Sequence, residues 1–157
     1  KDKDKEISDK MDNNVNRFKT SAKNAMISDN REAIIRGQLL PSASKCIKLA
    51  VVSGATFLVA PALAVIGVIG YIATSKKLQK RERQLILDDI EIEIQMCDKY
   101  LRLAEDKNDM KAVRNIMQTK RSLERQKQRL KYNMATQFKE KIPKNPKSSN
   151  DNYNYFD

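Results

Sequence analysis

The sequence has no histidine and no tryptophan, and only four glycines, four prolines and two cysteines in 157 residues. Without histidine it lacks the commonest general base, the commonest metal ligand and the usual partner of a nucleophilic serine or cysteine. Its glycines (Gly37, Gly54, Gly67, Gly70) form no phosphate-cradling loop. Cys46 and Cys97 lie 51 residues apart, outside any metal or redox spacing, and read as small buried apolar residues. Carboxylates are plentiful, but on charged helices they read as solvated faces. Aromatic residues make up 6% of the chain, too little for a large globular core. These absences argue against an enzyme and leave no cofactor, metal or small-molecule substrate to expect.

What is present is helix-forming. Apolar residues recur every three or four positions, and nothing alternates with period two over a useful length. The fold class expected is all-α: an apolar helical stem running into a long, coiled-coil-like antiparallel helical hairpin, with extended termini. Four segments follow: a polar N-terminal part with short helices (1–44), the stem (45–75), the charged hairpin (76–141) and an extended tail (142–157). In the tail, Tyr153, Tyr155 and Phe156 are spaced aromatics that read as a loose terminus. A first residue of Lys rather than Met reads as a processed chain or an excerpt of a longer one.

The stem stands out most. Residues 49–75 are 27 in number and carry no charge, in a chain with a net charge of +11. As one helix they would reach about 40 Å, enough to cross a hydrocarbon core of about 30 Å with tilt. Lys45 and Lys48 precede them; Lys76, Lys77, Lys80, Arg81 and Arg83 follow. Leu49, Val52, Phe57, Leu58, Pro61, Val65, Ile66, Gly67 and Gly70 are the candidate residues of a membrane or oligomer stem. Pro61 must either kink this helix or split it into two short ones, 49–59 and 62–73. The competing reading buries the segment against copies of itself.

Ahead of the stem, residues 1–14 are polar and charge-alternating and read as a frayed start. A weak amphipathic pattern begins at Val15. A short helix capped by Ser28 or Asp29 should end at Gly37, and 38–44, with Pro41, should be a connector whose Ser42 or Ser44 caps the next helix.

Behind the stem, 62–106 hold no proline and read as one unbroken helix. Leu87, Ile90, Ile94, Cys97, Leu101 and Ala104 form an a/d seam. Lys107, Asn108 and Asp109 make a turn, and a second seam runs through Val113, Leu123, Leu130 and Met134. Residues 88–109 hold eight acids and three bases, whereas 110–141 hold two acids and ten bases. The arms are therefore electrostatically complementary, which sets register more than stability. Lys120, Arg121, Arg125, Lys127, Arg129 and Lys131 form a basic face able to neutralise phosphates.

The runs KKLQKRERQLILDDIEIEIQM (76–96) and DKNDMKAVRNIMQTKRSLERQKQRLKYNM (106–134) resemble a segment of small virion structural proteins of tailed bacteriophages. There too an apolar helix precedes a RERQ-type stretch, an acidic helix, a turn and an Arg/Lys-rich helix. The resemblance implies a non-enzymatic, multi-copy virion component. Its partners would be copies of itself and other virion proteins, and it would act in assembly and in membrane engagement during genome delivery. Two alternatives stand beside it. One is an integral membrane protein whose cytoplasmic coiled coil recruits a partner, the orientation following from the basic flank after the stem. The other is a basic helical protein that binds nucleic acid.

Overall fold

The computed structural model describes residues 2–139, and among them every regular element is helical. Lys1 and the tail expected at 142–157 lie outside the described residues. Helix α1 (Asp2–Ile27) leads through Ser28–Asn30 into α2 (Arg31–Ile34), a π-turn (Ile35–Leu39) and α3 (Leu40–Ser53). A 3₁₀ turn (Thr56–Leu58) opens α4 (Val59–Ala73), and α5 (Lys80–Asp106) and α6 (Met110–Lys139) complete the bundle.

Four local expectations are corrected. The polar start is not frayed: Ile7, Met11, Val15, Phe18, Ala22 and Ala25 continue one helical stripe. Met11 and Phe18 are each only 1% exposed, and that packing holds the charged first turns of α1 in register. Gly37 does not end a helix, and 38–44 is no connector. The π-turn widens the backbone just before Pro41, which enters the first turn of α3, where its missing N–H is no loss. Ser44 caps nothing and instead donates from its hydroxyl to Glu93 of α5 at 2.7 Å.

The stem breaks at Gly54, not at Pro61. Gly54 takes a left-handed conformation (φ 67°) and ends α3, at no steric cost to a residue without a Cβ. Pro61 falls in the first turn of α4 and is tolerated there. The uncharged stretch is therefore two helices packed on each other, α3 and α4. The long helix expected over 62–106 is also interrupted, at 74–79. Gln79 and Glu82 form a reciprocal capping box that starts α5, with the Gln79 N–H donating to Glu82 Oε1 at 2.8 Å. Arg83, 3% exposed, turns back to donate from Nε to the Ala73 carbonyl at 2.9 Å and from Nη2 to the Ser75 carbonyl. It thereby satisfies the Ala73 carbonyl at the end of α4 and adds a second donor to the Ser75 carbonyl, which also accepts the Leu78 N–H at 3.2 Å.

Helices α5 and α6 pack closely together. Lys120 meets Asp98 at 2.6 Å, and Lys127 meets Glu91. Seven residues forward on α6 thus correspond to seven residues back on α5, the register of antiparallel helices. Asn108 sits at φ 57° in the intervening turn, and Asp109 Oδ1 accepts the Ala112 N–H at 3.2 Å. Ile90, Ile94, Cys97, Val113, Leu123 and Leu130 are buried, while Leu87, Leu101 and Met134 are partly so.

Arg83→Met keeps the aliphatic length and removes the donors, leaving the buried Ala73 carbonyl short of a partner and the Ser75 carbonyl with the Leu78 N–H alone. The expected loss of stability is about 1–3 kcal/mol, read as a lower urea midpoint at unchanged slope. An unshifted midpoint would show that the link between α4 and α5 does not rest on this side chain.

Candidate functional site

The stem residues divide by which way they face. Leu58, Val65, Ile66 and Gly70 point into the core, Leu49 and Pro61 are partly covered, and Val52, Phe57 and Gly67 face outward. The outward face of α4 and its approach runs through Phe57, Ala60, Ala64, Gly67, Val68 and Tyr71. Phe57 is 48% exposed, Val68 41% and Tyr71 76%. No charge interrupts this face, whereas the outward faces of α1, α5 and α6 are rich in charge. Thr56–Ala73 is long and apolar enough to cross a bilayer, but half of it is buried against the rest of the protein.

On its inner side α4 approaches α6 at Gly70. The carboxamide of Gln126 occupies the space where a Cβ would stand: a Cβ built there would meet Gln126 Oε1 at 1.9 Å. That oxygen is buried without a hydrogen-bond partner and rests against the glycine backbone. Gly67 has open space at the same point. Gly67→Ala should therefore stabilise the chain by about 0.5–1 kcal/mol through helix propensity. Gly70→Leu should lower the melting temperature by forcing Gln126 and α6 away. Equal effects in thermal melts would contradict the assigned facing of α4.

A second polar cluster was not anticipated from the sequence. Glu93, 6% exposed, accepts the Ser44 hydroxyl on the inner side of α5. Burial raises its pKa, and the Ser44 bond opposes that rise. One turn earlier, burial and then the charge of Glu93 push Asp89 up to about 7. Burial also pushes the thiols of Cys46 and Cys97 up to about 11 and about 12. A small cavity between α3 and α5 is lined by Ser44, Lys48, Glu93, Cys97 and their apolar neighbours. Neither thiol is a depressed nucleophile, and no group of three or more His, Cys, Asp or Glu among the described residues could hold a metal ion.

Helix α6 does not present its six candidate cations alike. Lys120 and Lys127 turn toward α5 and are spent on Asp98 and Glu91. Arg121, Arg125, Arg129 and Lys131 face solvent. No family model, no curated protein and no solved structure matches this chain.

The Asp89 shift gives a pH dependence of defined sign. Between its unfolded value of 3.8 and about 7 the folded chain holds more protons than the unfolded one, so stability falls as pH rises through that window. Glu93 acts in the same direction. Asp89→Asn should flatten the decline between pH 4 and 7 in denaturant midpoints. A variant that keeps the full slope would show that Asp89 titrates as an ordinary surface carboxylate.

Proposed function

We propose that the chain is a non-enzymatic structural component of a tailed-bacteriophage particle, present in many copies and acting by self-assembly through the outward face of α4. The supporting observation is that face itself: an exposed helical surface with three large apolar side chains and no charge. Ala60, Ala64 and Gly67 leave room for a second helix to come close, and Phe57, Val68 and Tyr71 supply area to bury. A face without charge repels no copy of itself, so two α4 helices can meet in an isologous contact. The phage assignment rests on the resemblance of 76–96 and 106–134 to virion proteins.

Val68→Glu/Tyr71→Glu tests this reading, since both side chains are exposed and their loss should leave the fold intact. Sedimentation velocity of the wild type should show concentration-dependent oligomers, and the double variant should run as a monomer with an unchanged melting temperature. Purified particles should contain the wild-type chain in many copies. A wild type that stays monomeric at all concentrations and is absent from particles would refute the proposal.

A second reading has one specific support, the length of Thr56–Ala73. In it α4 leaves the bundle to span a bilayer, with α5 and α6 on the cytoplasmic side recruiting a partner. It requires Leu58, Val65 and Ile66 to exchange a protein core for lipid. The nucleic-acid reading keeps only Arg121, Arg125, Arg129 and Lys131 of its basic face.

A further inference from the structure

The acidic residues of this chain are unevenly placed. None occurs between Glu32 and Glu82, and none between Asp12 and Asp29. The first gap covers the π-turn, α3 and α4, and the second covers most of α1, which packs on α3. Helices α1 and α3 enclose a groove. One part is lined by Lys10, Arg17, Lys45, Lys48, Leu49 and Val52 together with two asparagines. The adjoining part shares Arg17 and Lys45 and continues past Gly37 and Pro41 at the π-turn. No carboxylate lines either part.

The four cations are exposed. Lys10 is held by Glu6 one turn away at 3.5 Å, while Arg17, Lys45 and Lys48 make no ion pair among the described residues. This differs from α6, where the inward lysines are paired across the hairpin. The nearest acids in sequence, Glu6, Asp9 and Asp12, lie on α1 and do not line the groove. Three cations without an ion pair in one groove are a site for anionic oxygen, although Lys48 also borders the α3–α5 cavity that holds Glu93.

The apolar residues decide which anion. Val52 lines the groove beside Leu49 and is 58% exposed. Phosphate contacts of a nucleic-acid backbone are polar and make the least use of an aliphatic edge. A bilayer surface offers phosphate to the cations and the headgroup–acyl boundary to Leu49 and Val52. We infer that the α1–α3 groove is a docking site for the headgroups of an anionic phospholipid bilayer, bound at its surface through Arg17, Lys45 and Lys48 with Val52 at the apolar margin. The inference uses residues other than the outward face of α4, so it stands or falls apart from self-assembly.

The test is co-sedimentation of the full-length chain with vesicles of mixed phosphatidylglycerol and phosphatidylcholine, against vesicles of phosphatidylcholine alone. Binding should require the anionic lipid and weaken as salt rises from about 50 to 200 mM, within the reach of screening. Lys45→Glu/Lys48→Glu should reduce it at least tenfold, and Val52→Asp should reduce it with all cations intact. Arg121→Glu/Arg125→Glu, the same charge change on α6, should leave it within about twofold. Circular dichroism melts of each variant separate loss of binding from loss of fold, and Lys45→Gln/Lys48→Gln serves where the reversal unfolds the chain. Equal binding to both vesicle types, or full binding by folded groove variants, would overturn the inference. So would a single-stranded oligonucleotide that binds through Lys45 and Lys48 while the anionic vesicles do not, which would make the groove a nucleic-acid site instead.

Discussion

One side of α4 must be kept from water, and the other helices are arranged to do it. Val59, Ala62, Val65, Ile66, Ile69, Ile72 and Ala73 are buried, and α4 touches α1, α3, α5 and α6. Burying apolar area at roughly 25 cal/mol per Å² makes this the principal driving force available to a chain with few aromatics. The rest follows from the geometry of that burial. Helix α3 must turn back at Gly54 to cover α4. Helix α6 must come close enough at Gly70 for a glutamine to lie on bare backbone. The end of α4 must stop where Arg83 can reach its carbonyls.

The helical class was legible because periodicity survives any tertiary arrangement. The seams of α5 and α6 were legible for the same reason: Ile90, Ile94, Cys97 and Leu123 recur with the spacing of one face and are buried on it. Interruptions were less legible, because each depends on a competition that the sequence states only in part. Gly54 and Pro61 both mark a break within seven residues, and the break falls at Gly54 because left-handed backbone is open to glycine, whereas a first-turn proline costs nothing. Gly37 and Pro41 look like a terminator and a connector, yet a π-turn absorbs both. At 74–79 no glycine or proline marks the stop, and long-range bonds from Arg83 help to fix it.

The candidate surface was legible as a segment but not as a face. An uncharged helix has no polar side to set its phase, so Val65 and Val68 look alike in sequence although one is buried and the other exposed. Glu93 was legible in principle: the spacing Ile90, Glu93, Cys97 puts it on the inner side of α5. Among so many carboxylates it looked like one more solvated acid, and its partner Ser44 lies 49 residues away. The groove between α1 and α3 was not legible at all, since it joins cations from two helices whose pairing the sequence does not announce.

Cys46 on α3 and Cys97 on α5 are both buried, unpaired by a disulfide, and held far from the thiolate form at neutral pH. A maleimide or a disulfide reagent meets neither while the bundle is closed, because attack needs an accessible thiolate. Each sulfur therefore acts as a built-in clock. Its modification rate measures how often its own helix lifts from its neighbours, and a difference between the two rates would show α3 and α5 parting from the bundle separately.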